Sequence, residues 1–238
     1  MGNPIYEPSG AAREYGDLAV NIYTGCPHRC SYCFVPQVLH RDREMFHSHV
    51  EPKHRIVERV KEQLERSGMC GMTIHLCFTC DPYPEGCDSA PTREIIRLLK
   101  ESGNHVQILT KGDGSRDFDL LDGRDWYGIT FDGNYVPPYG FCPEGRFHNL
   151  RTAHEKGIKT WVSFEPVLYA DGVLSAIENI HYFYHADKIK IGKLNYHKPP
   201  EPIDWADFGR KAETLCQKLG MDYYIKASLR AEMERRVE

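Results

Sequence analysis

Short apolar runs recur along the chain and alternate with longer amphipathic stretches. Short runs rich in β-branched residues and bounded by polar or glycine residues are typical of buried strands. Six strands are predicted at residues 18–23, 73–78, 105–109, 127–131, 159–164 and 187–191. The same pattern allows a further strand at residues 223–226.

The stretches between these strands have helical periodicity. In residues 53–67, Ile56, Val60 and Leu64 recur every four residues among charged side chains, which places them on one helix face. Gly68 then provides a stop signal. Further helices are predicted around residues 95–99, 117–121, 147–156, 172–180 and 205–219.

Strands that alternate with helices pair in parallel through right-handed crossovers. The sequence therefore predicts an α/β fold, either a doubly wound sheet or a closed or partly closed barrel. In both arrangements ligands bind at the carboxyl ends of the strands. Residues that carry chemistry should thus lie directly after the predicted strands.

The composition is that of an ordinary globular protein and excludes the disordered and collagen-like classes. Hydrophobic residues make up 41% and charged residues 27% of the 238 residues, a length that suits a single domain over residues 1–238. No run approaches the roughly eighteen apolar residues of a membrane span, and the first residues lack the pattern of a signal peptide. We therefore expect a cytoplasmic protein without a membrane partner.

Charge and cysteine content narrow the class of site. A net charge of −4 gives no strong phosphate-binding footprint, which argues against a large nucleic-acid interface but leaves room for a local basic stripe. Nine cysteines is an odd number, and three of them crowd into one short segment. This clustering favours a metal site in a reducing compartment over a disulfide framework.

The clustered cysteines, Cys26, Cys30 and Cys33, follow the first predicted strand in the segment NIYTGCPHRCSYCFVP. Three thiolates at this spacing can converge on one iron–sulfur cluster from a single loop, and one iron then keeps an open coordination position. A structural zinc site is the alternative, because His28 in the same loop could complete a tetrahedral set. Tyr32, directly before the third cysteine, and the strand before the loop weigh against zinc.

The pattern CxxxCxxC with an aromatic before the last cysteine is the signature of the radical S-adenosylmethionine (SAM) superfamily, which this chain resembles. It is more closely similar to the spore photoproduct lyase-like branch, through TGCPHRCSYCFVP, FTCDPYPE, LTKGDGSRDFDLL and VSFEPV. The resemblance covers roughly residues 18–195 and implies a partial (β/α)6 TIM-like barrel of parallel strands, the radical SAM core. Residues 200–238 would add a C-terminal helix and strand.

The resemblance implies a [4Fe–4S] cluster held by Cys26, Cys30 and Cys33, with one iron free to bind SAM. One-electron reduction would cleave SAM to methionine and a 5′-deoxyadenosyl radical, which abstracts hydrogen from an organic substrate. The electron would come from a donor such as flavodoxin or ferredoxin.

The resemblance also implies that side chains after the strands bind SAM. Tyr32 would lie beside the adenine, with a packed core aromatic as the alternative. Thr79 and Asp81 would accept hydrogen bonds from the SAM ammonium, although Asp81 before Pro82 is also a common turn former. Lys111 would approach the SAM carboxylate, for which a point positive charge is a suitable partner.

Three further cofactor or substrate contacts and one catalytic role follow from the same resemblance. Thr130 would contact SAM, and Ser163 and Glu165 would reach the ribose or the substrate; an ordinary strand threonine and a strand terminus are the alternatives. Cys80 is the candidate for the lyase cysteine that returns a hydrogen atom to a product radical. The alignment, however, puts Phe78 at that position and Cys80 two residues later.

Other groups allow more than one interpretation. Cys77, Cys80 and Cys87 could hold a second cluster, although buried structural thiols are the commonest explanation for scattered cysteines. The four histidines of residues 40–54 fit a solvated connection better than a metal site. The aromatic–proline loop at residues 135–139 could shape a substrate pocket or form a rigid surface loop.

The substrate is the least determined feature. Because the resembled branch repairs a thymine dimer, a nucleobase or modified thymidine in DNA is the preferred substrate, in an isomerase or lyase type of tailoring. Radical modification of a peptide or small metabolite is the alternative. A non-enzymatic zinc or iron–sulfur module is the alternative from another class.

Overall fold

The sheet contains eight strands that follow one another in chain order. The computed structural model describes residues 2–135 and 142–235. The first strand is antiparallel to the second, and every later neighbouring pair is parallel. The strands are β1 (Ile5–Tyr6), β2 (Leu18–Val20), β3 (Thr73–Leu76), β4 (His105–Thr110), β5 (Trp126–Thr130), β6 (Lys159–Phe164), β7 (Lys188–Ile191) and β8 (Tyr223–Ile225).

Helices connect the strands and flank the sheet. The α-helices are α1 (Val35–Val38), α2 (Arg43–Ser48), α3 (Ile56–Ser67), α4 (Ala90–Glu101), α5 (Pro143–Glu155), α6 (Ala170–Asn179), α7 (Trp205–Lys218) and α8 (Ala227–Glu234). Two 3₁₀ helices, Gly10–Glu14 and Ser115–Leu120, and a π-helical turn, Ile180–Tyr184, complete the described elements.

The predicted α/β class and the parallel order of its strands are confirmed. Gly68 ends α3 in the left-handed conformation, with φ at 63°, as its stop signal predicts. The helix predicted at residues 117–121 is a 3₁₀ helix instead. Among the described strands and α-helices, four short ones were not predicted: β1, α1, α2 and α8.

The two faces of the sheet differ in polarity. Ile74 and Leu76 of β3 are fully buried in the hydrophobic core beneath the helices. Because successive side chains of a strand point to opposite faces, His75 between them lies on the other face, which is concave. Trp161 occupies this concave face and covers Gly128, where an added Cβ would stand 2.1 Å from the indole nitrogen. The concave face is thus filled by polar and aromatic side chains.

The N-terminal segment, residues 5–15, closes the open side of the sheet. Among the described strands, β1 and β8 are the two ends and do not pair with each other. Glu14 bridges toward the β8 end, because its Oε2 accepts hydrogen bonds from the Tyr224 hydroxyl at 2.9 Å and the Ala227 backbone N–H at 3.1 Å. Tyr15 enters the concave face, 5.8 Å from Trp161 between ring centroids. The arrangement is a partial barrel sealed by this segment.

The expectations about a membrane span and about the aromatic–proline loop can be compared only with the described residues. No helix within residues 2–135 and 142–235 is long and apolar enough to cross a membrane. Most of the aromatic–proline loop, namely residues 136–139, lies outside the described residues.

Candidate active site

The cysteine loop, residues 24–34, follows β2 at the carboxyl edge of the sheet, where site residues are expected. It carries Cys26, Cys30 and Cys33 with free thiols. Burial raises the pKa of Cys26 and of Cys33. Metal binding at these sulfur atoms therefore has to release protons.

Helix α2 packs directly behind the cysteine loop. A Cβ on Gly25 would stand 2.2 Å from the Phe46 carbonyl oxygen, so only glycine allows this approach. The Cys26 N–H donates to the same oxygen at 3.2 Å, and His47 Nδ1 lies 2.7 Å from the Cys26 carbonyl oxygen. Phe46 and His47 are both buried. The interpretation of residues 40–54 as a solvated connection is therefore wrong for Phe46 and His47, whereas His40, His49 and His54 are exposed as it predicts.

Arg43 of α2 holds the second half of the cysteine loop. Its guanidinium donates to the backbone carbonyls of Cys30 at 2.6 Å, Ser31 at 3.1 Å and Cys33 at 3.0 Å. One planar donor group can satisfy three converging carbonyls only when the loop adopts a single conformation. Arg43 therefore fixes the backbone beneath two of the three candidate ligands.

Tyr32 packs against a half-buried ion pair. Its hydroxyl donates to Asp132 Oδ2 at 3.1 Å, and Lys111 Nζ donates to the same oxygen at 3.0 Å. The ammonium of Lys111 also lies 5.0 Å from the centroid of the Tyr32 ring. Although burial opposes ionisation, Lys111 lowers the pKa of Asp132. The structure thus brings Tyr32 and Lys111 together beside the cysteine loop.

Two charged residues at this position were missed by the sequence analysis. Asp132 lies two residues after β5, so the rule that site residues follow strands could have found it. Arg146, in the first turn of α5, is 4% exposed and donates to the Thr130 carbonyl at 2.6 Å, while its Nε has no partner among the described residues. Burial lowers the pKa of Arg146. No strand-based rule points to a residue on a helix.

The Asp81 carboxylate braces the surrounding loops. Its Oδ1 accepts hydrogen bonds from Thr110 Oγ1 at 2.5 Å and the Tyr83 N–H at 2.8 Å. Its Oδ2 accepts one from the Lys111 N–H at 2.8 Å and lies 3.4 Å from His28 Nδ1. Although burial opposes ionisation, His28 and these hydrogen bonds lower the pKa of Asp81. Its predicted contact with the SAM ammonium stays a prediction.

Ser163 and Glu165 belong to a second polar group, in the concave face, which we call the lumen cluster: Tyr15, Ser163, Glu165 and Lys226. The Tyr15 hydroxyl donates to Glu165 Oε2 at 2.5 Å and lies 2.9 Å from Ser163 Oγ. Lys226 Nζ donates to the same Glu165 oxygen at 2.5 Å. Thr130 reaches this cluster through a 3.4 Å hydrogen bond to the Glu165 carbonyl. Tyr15 and Lys226 were not predicted as site residues.

The loop after β3 directs Phe78 into the concave face. Its ring stacks on His75, with centroids 4.2 Å apart and planes 21° apart. The backbone N–H groups of Phe78 and Thr79 both donate to Asn21 Oδ1, at 2.8 and 2.9 Å. Thr79 is therefore fixed through its backbone, and a SAM contact by its side chain stays a prediction.

Cys80 lies on the other side of this loop. Its sulfur accepts a 3.3 Å hydrogen bond from the Tyr23 N–H, interacts with the Cys77 thiol and packs against the hydrophobic core beneath the helices. The structure does not bring Cys80 to the concave face, where Phe78 stands instead. This placement does not support the predicted hydrogen-donor role.

The sequence profile of the Radical SAM superfamily matches residues 20–171, which is more than half of the chain. The chain belongs to the radical SAM superfamily. Its cofactors are accordingly a [4Fe–4S] cluster and SAM. No curated protein sequence matches the chain significantly.

Solved structures of radical SAM enzymes share the fold. Spore photoproduct lyase in complex with a dinucleoside spore photoproduct superposes with a TM-score of 0.68 at 11% identity, covering 92% of this chain and 78% of the lyase. SuiB of Streptococcus suis bound to its precursor peptide SuiA gives a TM-score of 0.63 at 12% identity, covering 88% of this chain and 48% of SuiB. This chain thus spans about half the length of SuiB. At these identities the likeness shows the fold alone.

The cysteine loop fits the radical SAM cluster better than one zinc ion. Sulfur ligands of a single tetrahedral zinc lie about 3.8 Å apart. Among the described residues, one set of three potential metal ligands has its ligand atoms within 4.8 Å of one another, namely His105, Asp122 and Asp125, which lie outside this loop. The ligand atoms of the cysteine loop are not spaced that closely. His28, the candidate fourth zinc ligand, directs Nδ1 toward Asp81, and its buried Nε2 has no partner within the described residues. That orphaned nitrogen is consistent with a further group beside the loop.

Proposed function

We propose that this protein is a radical SAM enzyme that binds its [4Fe–4S] cluster through Cys26, Cys30 and Cys33 and acts on a nucleobase or modified thymidine in DNA. The observation that carries the proposal is the cysteine loop, directly after β2 and held by α2. When bound and reduced, the cluster supplies the electron that cleaves SAM and starts hydrogen abstraction from the substrate.

The residues around the loop divide into supports and candidate contacts. Arg43 and Gly25 hold the backbone, so that the three sulfur atoms are preorganised for the cluster. Tyr32 and Lys111 contribute an aromatic ring and a positive charge next to the loop, in keeping with adenine and carboxylate binding. Arg146 offers a buried Nε–H, without a partner among the described residues, as a second donor for an anionic group.

The lumen cluster supports a role for Glu165 in binding a hydroxyl or N–H group of SAM or the substrate. Its Oε2 is held by Tyr15 and Lys226. A Cβ on Gly192 would stand 2.9 Å from Oε1, so the absence of a side chain there leaves room for the carboxylate. A fixed carboxylate at the end of β6 can orient a polar group without reorganising.

A nucleobase substrate is favoured by the fold likeness that extends over most of both chains. Spore photoproduct lyase was solved with a dinucleoside spore photoproduct, and this chain covers 78% of the lyase. The second candidate is a peptide, because SuiB was solved with its precursor peptide, but the shared region is about half of SuiB. Lyase or isomerase chemistry is proposed by the same analogy.

The decisive experiment measures 5′-deoxyadenosine. Protein reconstituted without oxygen should be brown and contain about four irons, and with dithionite and SAM it should release 5′-deoxyadenosine. Cys30→Ala should abolish this release, whereas Cys70→Ala, at an exposed cysteine outside the site, should not. An unchanged rate in Cys30→Ala, or a colourless protein with one zinc, would refute the site.

The substrate class is tested with the same assay. Oligodeoxynucleotides, thymidine nucleosides and unstructured peptides are compared for their stimulation of 5′-deoxyadenosine release and for a change in their own mass. Stimulation and product from DNA or nucleosides support the nucleobase proposal. Stimulation by peptide alone would replace it with the second candidate.

A further inference from the structure

The loop after β3 brings two cysteines together at the spacing CxxC. Cys77 directly follows the strand, and Cys80 lies three residues later. The two thiols lie close enough for each to influence the pKa of the other. Both are free thiols, and neither belongs to the cysteine loop.

The backbone between the two thiols is fixed in a tight turn. Cys77 has a positive φ of 69°, which is uncommon for a residue with a side chain. Its N–H donates to the Val20 carbonyl at 2.9 Å, and Asn21 Oδ1 accepts from the N–H groups of both intervening residues. The turn therefore fixes the backbone that carries both thiols, and both side chains lie against the hydrophobic core.

The two sulfur atoms differ in surroundings. Cys77 is 6% exposed and lies in the hydrophobic core, whereas Cys80 is partly exposed. The Tyr23 N–H points at the Cys80 sulfur from 3.3 Å. Although burial opposes ionisation, the Cys77 thiol and the Tyr23 N–H lower the pKa of Cys80, while burial raises the pKa of Cys77. A partly exposed cysteine whose thiolate is stabilised, beside a buried partner, is the arrangement of a nucleophilic and a resolving cysteine.

We propose that Cys77 and Cys80 form a redox-active dithiol that is oxidised reversibly to an intramolecular disulfide by low-molecular-weight disulfides such as oxidised glutathione. This modification site is distinct from the cluster ligands and does not depend on the proposed substrate.

The exchange proceeds in two balanced steps. The Cys80 thiolate attacks one sulfur of oxidised glutathione, forming a mixed disulfide and releasing one glutathione thiolate. The Cys77 thiol then gives its proton to a released glutathione thiolate and attacks the Cys80 sulfur, which forms the internal disulfide and releases the second glutathione thiolate. Two protein thiols are oxidised, and one molecule of oxidised glutathione is reduced to two molecules of glutathione.

The oxidised turn would act on the adjacent site. Asp81 follows Cys80 in the chain and braces both Thr110 and the Lys111 backbone. A covalent bond across the turn restricts the backbone one residue before this brace. The dithiol is therefore placed to couple the thiol redox state to the position of Lys111.

The test uses the reconstituted holoprotein in oxygen-free buffers that range from fully reduced to fully oxidised glutathione. Thiols are trapped by acid, alkylated with iodoacetamide, and located by tandem mass spectrometry after digestion. Cys70 and Cys87 lie on the same tryptic peptide as the pair and serve as internal controls. In oxidising buffers Cys77 and Cys80 should carry no alkyl label, and the peptide should be lighter by two hydrogen atoms because the two residues form a disulfide. Dithiothreitol should restore both labels, and Cys70 and Cys87 should be labelled throughout.

Single variants test the roles of the two thiols. Cys77→Ser should leave Cys80 as a mixed disulfide with glutathione, Cys80→Ser should leave Cys77 alkylated, and Cys87→Ser should behave as the native protein does. Full labelling of Cys77 and Cys80 in the most oxidising buffer would overturn the proposal. Resistance of both thiols to labelling in reduced, unfolded protein, or iron bound by them, would overturn it as well.

Discussion

At the residue scale, the cysteine loop and the concave face each depend on one position whose environment leaves little freedom. Gly25 approaches the backbone of α2 so closely that no side chain fits. His75 lies fully buried between Phe78 and Gln107, and its Nε2 has no partner within the described residues. At Gly25 the constraint is steric, because a side chain would collide with the backbone of α2. At His75 the constraint is the cost of burying a charged ring.

Replacement of Gly25 by alanine should push the cysteine loop away from α2. The new Cβ would meet the Phe46 carbonyl oxygen at 2.2 Å, and overpacking against backbone costs about 3 kcal/mol. We expect a lower free energy of unfolding and fewer than half of the native irons per protein, measured by denaturant unfolding and iron assay. Gly16→Ala is the control, because the nearest atom to its Cβ is 3.8 Å away. Equal iron content in both variants would contradict this account of the loop.

The pH dependence of stability should contain a contribution from His75. Burial, with the charge of Lys190, lowers the pKa of His75 to about 3, whereas an unfolded histidine has a pKa of about 6.5. Between these values the unfolded chain binds a proton that the folded protein does not. The free energy of unfolding should therefore fall as the pH drops below about 6.5, by up to about 1.4 kcal/mol per pH unit from this group.

This contribution is isolated by comparing two histidine variants. His75→Gln should make the fall in unfolding free energy between about pH 7 and about pH 5.5 less steep. The slope should decrease by up to about 1.4 kcal/mol per pH unit, which corresponds to one proton. His54→Gln, at an exposed position, should keep the native slope. Denaturant unfolding of the holoprotein under nitrogen gives both slopes, and identical slopes in the two variants would disprove the role of His75.

At the element scale, periodicity predicted the long elements and missed the ones that shape the site. The strands β3 to β7 and the helix α3 bury repeated apolar positions, so their sequences record their environment. Helix α2 has six residues and buries only Phe46 and His47 on the cysteine loop, a pattern too short for a helical period. The N-terminal segment with Tyr15 contributes single side chains to a distant face. Their roles come from tertiary contacts that local sequence does not encode.

The residues of the candidate site also divide into those that the sequence predicts and those that it does not. The cysteine triad was predicted from its spacing and its position after a strand. Lys111 was predicted from the family resemblance, and the structure places it beside Tyr32. Asp132 obeys the same rule and could have been predicted. Arg146 and Arg43 lie on helices, where a charged residue is usually solvated, so nothing local distinguishes them.

The contact between α2 and the cysteine loop predicts the effect of a conservative change. Arg43→Lys keeps the charge but cannot donate to the carbonyls of Cys30, Ser31 and Cys33 together, because an ammonium lacks the planar fork. Loss of two such bonds at an exposed position should cost about 1–2 kcal/mol. We expect the variant to lose iron to a chelator faster than the native protein does, as measured by absorbance. Arg55→Lys, in an exposed pair with Glu62, is the matched control. Equal rates of iron loss in the two variants would contradict the role of Arg43 in holding the cysteine loop.

At the scale of the whole molecule, the N-terminal segment connects the two ends of an open sheet. Glu14 accepts hydrogen bonds from Tyr224 of β8 and from the Ala227 N–H at the start of α8. Its backbone carbonyl accepts one from Lys190 of β7 at 2.7 Å. A carboxylate at a helix N-terminus interacts favourably with the helix dipole. Glu14 therefore stabilises the C-terminal strand and helix from a position more than two hundred residues earlier in the chain.

Removal of the Glu14 charge should loosen the C-terminal elements before the rest of the barrel. In Glu14→Gln the amide is a weaker acceptor for Tyr224 and Ala227 and no longer attracts Lys226, whose Nζ lies 3.9 Å away. A local loss of about 1.4 kcal/mol corresponds to tenfold faster amide exchange. We expect this acceleration in residues 223–234, measured by hydrogen–deuterium exchange, with β3 unchanged. Glu7→Gln, which removes an exposed pair with Arg13, should alter neither region. If exchange in Glu14→Gln rose equally throughout the sheet, the segment would be stabilising the whole barrel rather than its C-terminal end.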